Sequence, residues 1–256
     1  MARRDESTPA RLERDLAELK LPEIARNYRE VLDEAARKGT SLLEVLATLF
    51  GMEQTARQQR ALQRRLLEAR LPRPKTVAEY DFTFPKRIPK AAILRLFDCD
   101  FIPRHGCAVL IGPTGTGKSH LLTALGYTAV ERGHPVRHTR VVDMINHLTA
   151  AQLNGSLGKT LRTYVRPSLL LLDELGYLPI DKRGADLLFQ VVAARYEVGS
   201  IVITTNRPFR EWGKLFDVDN TLATALIDRL MHHGEGIVIQ GDSFRMKDKD
   251  PDSIDE

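Results

Sequence analysis

The chain has 256 residues, 43% of them hydrophobic and 28% charged, with a formal net charge of +4, enough for one α/β domain plus a small appendage. No apolar run approaches the roughly 18–20 residues of a spanning helix, and Met1-Ala2-Arg3-Arg4-Asp5-Glu6 lacks an apolar signal region. Cys99 and Cys107 fit no zinc or dithiol spacing, so the expectation is a cytoplasmic protein with no membrane partner, no disulfide framework and no cysteine metal site.

In chain order, the first 71 residues read as helical. Leu12, Leu16 and Leu19 recur at helical spacing; Ile24, Tyr28, Val31 and Leu32 continue the period until Gly39 breaks it. Ser41 is placed to cap a third helix carrying Leu42, Leu43, Val45, Leu46, Leu49 and Phe50. A strongly basic segment follows from Met52 to Leu71, with Arg57, Arg60 and Arg64 on one helical face. That face is either solvated or a surface for DNA or a partner protein. Leu71-Pro72-Arg73-Pro74 stops the helix, and residues 72–90 read as a linker. From about residue 90, strands predicted at Cys107–Ile111, Pro135–Arg140, Ser168–Leu172, Ser200–Thr204 and Gly236–Gln240 alternate with helices. The alternation implies a parallel sheet of five strands wrapped by helices with right-handed crossovers. The end of the chain, from Asp242 to Glu256, is acid-rich, so the remainder is more basic than its net charge suggests. Such a surface suits nucleic acid or another polyanion, or is simply well solvated.

Gly112-Pro113-Thr114-Gly115-Thr116-Gly117-Lys118-Ser119 matches the phosphate-binding loop G-x-x-x-x-G-K-[ST] at every fixed position. It lies between an apolar strand and a helix, the context its chemistry needs. Backbone N–H groups close around phosphate oxygens, Lys118 reaches the β and γ phosphates, and Ser119 places its hydroxyl on Mg²⁺. These residues and the adjoining His120 are the expected nucleotide-binding set, with ATP and Mg²⁺ as cofactors. The run Ser168-Leu169-Leu170-Leu171-Leu172 ends in Asp173-Glu174, where carboxylates at the C-terminal end of a parallel strand face the same ligand. Asp173 would hold Mg²⁺; Glu174 would polarise the attacking water, which favours hydrolysis. Asn206, ending the fourth strand, is expected to touch the γ-phosphate or that water rather than merely start the turn before Pro208. Phe82 and Phe84 either cover the adenine site or anchor the linker to the core. Arg229 follows Asp228 on a helix and is either half of an ion pair or a guanidinium for a transferring phosphoryl group, in cis or from a neighbouring subunit.

Together and in this order, these motifs resemble AAA+ ATPases of the initiator and helicase-loader branch, and above all the IstB-like ATP-binding proteins that assist a transposase. Asp173-Glu174-Leu175-Gly176-Tyr177-Leu178-Pro179, Thr204-Thr205-Asn206-Arg207-Pro208, Asp228-Arg229-Leu230-Met231-His232-His233 and Gly241-Asp242-Ser243-Phe244-Arg245 carry the likeness, which spans roughly residues 10–247. The resemblance implies that Asn206 is a sensor, that Arg229 is an arginine finger acting on ATP in an adjacent subunit, and that Arg245 is a second phosphate sensor. It implies that Lys159 and Arg162, where relatives insert an extra helix, contact DNA. Fewer than thirty residues follow Arg229, too few for the usual helical lid, as in the helicase-loader and IstB-like members. The expected organisation is a helical N-terminal domain over 1–71 that binds a partner or DNA, a linker over 72–90, an AAA+ domain over 91–247 and a disordered acidic tail over 248–256. The implied function is an ATPase that oligomerises on duplex DNA with ATP and helps a transposase select and remodel its target. The rivals are a replicative helicase loader and a DNA scaffold for which hydrolysis is incidental.

Overall fold

The computed structural model describes residues 7–216 and 220–244. Arg245 and the acidic tail expected over 248–256 lie outside the described residues. The chain divides into two compact units, Met1–Arg64 and Arg65–Glu256.

The first unit is helical. α1 (Thr8–Glu18), α2 (Pro22–Lys38) and the start of α3 (Leu42–Ala69) bury Leu16, Ile24, Tyr28, Val45 and Leu49 against one another. Gly39, in the left-handed conformation at φ 67°, ends α2. Ser41 and Glu44 then make a reciprocal cap on α3: the Ser41 N–H donates to Glu44 Oε2 (3.0 Å) and the Glu44 N–H to Ser41 Oγ (3.3 Å). α3 runs unbroken for 28 residues and takes in most of the basic segment after Phe50. Gly51 lies in open space, and the Glu-, Gln-, Arg- and Leu-rich stretch beyond it has high helix propensity, so nothing stops the helix there.

The second unit holds the sheet, ordered β2-β3-β4-β1-β5 and parallel throughout. The strands are β1 (Cys107–Ile111), β2 (Val136–Arg140), β3 (Leu169–Leu175), β4 (Ser200–Thr205) and β5 (Gly234–Val238). Leu169 to Leu172 on β3 have no exposed surface, as expected of a strand covered on both faces. The helices are α4 (Lys90–Phe97), α5 (Lys118–Glu131), α6 (Val141–Leu153), α7 (Leu157–Val165), α8 (Lys182–Arg195), the single turn α9 (Trp212–Leu215) and α10 (Asn220–Met231). Leu188 and Val191 of α8, Leu226 and Leu230 of α10, Trp212 and Phe216 fill the core beside β1, β3 and β4.

Two strands differ from their predicted bounds by more than a single residue at an end, each for a local reason. β5 starts at Gly234, earlier than expected, because the turn after α10 brings Gly234 opposite Cys107. β3 continues past Leu172 to Leu175 through a bulge: Leu172 pairs with Ile203, but Leu175 pairs with Thr205. The extra residue re-aims the acidic pair.

One arginine lies deep in this unit. Arg195, 1% exposed, donates to the carbonyls of Tyr164 (2.8 Å), Val165 (2.9 Å), Pro167 (2.8 Å), Ser168 (3.1 Å) and Ser200 (2.7 Å). Burial pulls its pKa down to about 10, and the five carbonyls offset the cost of keeping the charge.

Candidate functional site

The loop after β1 wraps into a cradle because two of its glycines take conformations that side chains resist: φ is 84° at Gly115 and 81° at Gly117. Space is equally restrictive. A Cβ at Gly117 would lie 2.4 Å from the ring of Tyr80, and one at Gly115 2.0 Å from Ser243 Oγ. α5 begins at Lys118, so the positive end of its dipole and its first N–H groups open onto the cradle. Lys118, 4% exposed, donates to the carbonyls of Gly112 and Pro113, both at 2.7 Å. Its ammonium is thus held against the loop whose amides would take a phosphate.

Ser119 Oγ donates to Asp173 Oδ1 at 2.9 Å. Thr204 Oγ1 donates to the same carboxylate oxygen and accepts from the Glu174 N–H at 2.9 Å; that N–H also reaches Asp173 Oδ1 at 3.1 Å. Thr204 therefore fixes the bulge that carries both acids, and Glu174 adopts φ 64° there, a conformation costing a non-glycine residue about 1–2 kcal/mol. The hydroxyl of Ser119 and the carboxylate of Asp173 are adjacent hard oxygen donors, the set that suits Mg²⁺. Asn206 Oδ1 is buried with no hydrogen-bond partner among the described residues. A buried acceptor left so is costly, and a donor on a bound ligand or water would relieve it.

The cleft above the cradle, of about 250 Å³, is walled by two segments far apart in sequence. From the linker come Tyr80, whose hydroxyl donates to the Thr116 carbonyl at 2.8 Å, and Phe84. From beyond β5 comes Phe244, whose N–H donates to the Gly115 carbonyl (3.0 Å) and whose ring meets that of Phe84 at 5.0 Å. Arg87 and Gln240 exchange backbone hydrogen bonds and zip the two segments together. Burial pushes the Tyr80 phenol up to about 12, so it stays a donor. Of the two linker phenylalanines, Phe84 lines the cleft, whereas Phe82 packs on Tyr80 (4.9 Å) under Lys90 (5.1 Å). His120 also lines the cleft, with Nε2 2.8 Å from the Thr76 carbonyl. Tyr80, Thr204 and Phe244 were not anticipated as site residues; the alternation Tyr80, Phe82, Phe84 just before the phosphate loop was the available signal.

A family model described as IstB-like ATP binding protein matches residues 14–251. The chain belongs to the IstB-like ATP-binding family. An IS21 insertion-sequence protein of Pseudomonas aeruginosa, described as ATP-binding, is 38% identical over 234 residues, 91% of this chain and 88% of the relative. Its IS5376 counterpart in Geobacillus stearothermophilus is 36% identical over 231 residues, 90% of this chain and 92% of the relative. Among solved structures, AMPPCP-bound DnaA from Aquifex aeolicus aligns with a TM-score of 0.57 and 22% identity over 70% of this chain and 54% of that one. The DnaC helicase loader aligns with a TM-score of 0.53 and 23% identity over 64% of this chain and 97% of that one. The chain thus spans about half the length of the initiator. These two likenesses are likenesses of fold, the AAA+ phosphate-loop fold, as expected from the motifs.

Other candidate residues of this IstB-like chain lie away from the cleft. Arg229 on α10 lines a small cavity beside Cys107, the first residue of β1, whereas the phosphate loop follows Ile111, the last. At about 3.3 Å per residue those ends are roughly 13 Å apart, so the fold does not bring Arg229 to the loop of its own chain. Its guanidinium stacks on Phe189 (4.7 Å) and donates to the Ala225 carbonyl (3.1 Å). Lys159 and Arg162 lie on α7 and line a groove of about 780 Å³ that they share with Arg70, Arg137 and Arg166. None of these five forms an ion pair among the described residues. Arg137 Nε is buried without a partner among the described residues; burial and the Arg70 charge lower its pKa. Glu68 lines the groove too, but only its carbonyl engages Arg137 (3.3 Å). In the first unit, Arg57 and Arg60 are engaged by Glu53, at 3.5 and 3.0 Å, and Arg60 also by Glu23 at 3.4 Å. Arg64 is exposed.

Proposed function

We propose that the chain hydrolyses ATP and uses it to assemble on duplex DNA in the service of a transposase. One observation carries the reading: Ser119, at the start of α5, is interlocked with Asp173 and Thr204 at the ends of adjacent strands, Lys118 is held to the carbonyls of the loop, and Glu174 is fixed beside them by a side-chain hydrogen bond to its amide. Ser119 and Asp173 would hold Mg²⁺, which when bound neutralises charge on the β and γ phosphates. Lys118 exchanges its loop carbonyls for phosphate oxygens. Glu174 orients and accepts a proton from the attacking water, and Asn206 turns its unpaired oxygen to that water. The aromatic cleft of Tyr80, Phe84 and Phe244 takes the base.

Arg229 cannot serve its own phosphate loop, which supports its use in trans on a neighbouring copy. Assembly is then favoured by nucleotide, because only the oligomer supplies the full set of γ-phosphate contacts. The groove of Arg70, Arg137, Lys159, Arg162 and Arg166 would follow the DNA backbone, and repetition along an oligomer makes weak, sequence-independent contacts add. The insertion-sequence relatives favour transposition over helicase loading as the setting. We place the transposase contact on the first helical unit.

The test is a mixing experiment. Glu174→Gln should keep ATP binding and lower phosphate release about 10²-fold, the size of losing a positioned general base. Arg229→Ala should keep ATP binding and lose turnover. Mixed, the two variants should regain part of the hydrolysis at interfaces that pair an intact Glu174 with an intact Arg229. No recovery at any ratio refutes the trans role; undiminished hydrolysis by Glu174→Gln refutes the chemistry.

A further inference from the structure

At the end of the sheet opposite the phosphate loop, two turns meet. One leads from α8 through Tyr196 and Glu197 into β4; the other joins α10 to β5 through His232 and His233. A carboxylate oxygen of Glu197 and one ring nitrogen from each histidine all lie within 4.8 Å of one another, and all three residues are exposed. His233 Nε2 is 3.5 Å from Glu197 Oε1, and the two imidazole centroids are 4.2 Å apart. His232 Nδ1 lies 2.9 Å from the Tyr196 hydroxyl. With Nδ1–H donating to that oxygen, Nε2 carries the lone pair a metal needs, and the ring is oriented by a partner outside the ligand set.

We propose that Glu197, His232 and His233 form a binding site for a divalent transition metal of the zinc class. Two imidazoles and one carboxylate are a zinc-type set that leaves a fourth position for water. They discriminate against Mg²⁺, which prefers oxygen ligands and keeps its waters. Small adjustments of exposed side chains bring the three atoms to zinc-ligand distances of about 2.0–2.2 Å from a shared centre. A bound ion would tie the α8–β4 turn to the C-terminal end of α10. Arg229 lies one turn back on that helix, and its cavity is lined by Glu197 and His233 as well. Metal occupancy therefore fixes the helix end that carries the proposed intersubunit arginine, while the binding itself requires no nucleotide.

The full chain, freed of any histidine tag, is titrated with Co²⁺ by visible absorption and with Zn²⁺ in competition, without nucleotide. The expected result is one ion per chain, with His232→Ala, His233→Ala and Glu197→Gln each weakening affinity at least about tenfold. Zn²⁺ should also raise the melting temperature of the wild type but not of the His232→Ala/His233→Ala variant. The exposed substitutions leave the fold intact, which circular dichroism checks; Glu197→Gln alone provides a second test. A wild type that binds no Zn²⁺, or equal affinity in the wild type and the double variant, overturns the site. Neither outcome bears on ATP hydrolysis, so the two readings fail separately.

Discussion

Two basic regions look alike in the sequence and are used differently in the fold. On α3, Arg57 and Arg60 surround Glu53, a carboxylate only 3% exposed. Glu53 Oε2 accepts the Glu23 and Ile24 N–H groups at the start of α2 (2.8 and 3.4 Å), where an anion complements the helix dipole. Arg57 also donates to the Lys20 carbonyl after α1 at 2.9 Å. These cations serve the packing of three helices. Around the groove beside β2 and α7, by contrast, Arg70, Arg137, Lys159, Arg162 and Arg166 engage no carboxylate among the described residues. The lesson is that a count of arginines locates charge, whereas the acids within reach decide whether that charge is spent internally or left for a partner.

The largest effect should come from reversing charge in the groove. Arg137→Glu with Arg162→Glu should weaken duplex binding about 10²-fold at low salt, measured by fluorescence anisotropy with Mg-nucleotide. An equal loss from Arg57→Glu with Arg60→Glu in a folded protein would break the contrast between the regions. Arg60→Ala should instead act on stability. It removes a partner of the buried Glu53 and should lower the melting temperature by about 5 °C while changing duplex affinity less than about twofold. A variant as stable as wild type would show that Glu53 does not depend on it. Arg162→Ala alone should weaken duplex binding a few-fold and reduce the salt slope by about 0.9, the value for one lost phosphate contact; an unchanged slope would take Arg162 off the DNA path.

The smallest effect concerns His138, next to Arg137 on β2. Burial holds its imidazole below the ordinary value, outweighing the opposite pull of Asp173, and the Arg137 charge adds a lesser push in the same direction as burial. It is therefore neutral when folded, whereas the unfolded chain takes up a proton near pH 6.5. This contribution is complete above that pH and drains away as pH falls toward the folded value. Melting curves from pH 7.5 to 5.5 should fall less for His138→Gln than for wild type, and parallel curves would remove His138 from the account.

The phosphate-loop motif and the acidic pair stand out in the sequence because each is contiguous: the glycines, Lys118 and Ser119 fall within eight residues, and Asp173 and Glu174 are adjacent. The alternation of strands and helices gave the parallel sheet for the same reason. The bulge that turns Glu174 was not legible, since it exists only in the register of β3 against β4. Nor was the cleft wall, which joins Phe84 to Phe244 across most of the chain. The face of Arg57, Arg60 and Arg64 was visible as periodicity, but Glu23, which takes Arg60, lies 37 residues away.

Arg195 gives the groove an unexpected dependence. Its guanidinium ties down the carbonyls on either side of Arg166, so one concealed cation shapes the platform on which visible ones stand. Lysine there would bring the same charge on a single nitrogen with three donors, where five carbonyls now accept from two separate guanidinium nitrogens. At Gly199 even a methyl group would sit 2.6 Å from the arginine. A substitution at Arg195 or Gly199 would thus reshape the groove while leaving its surface potential untouched.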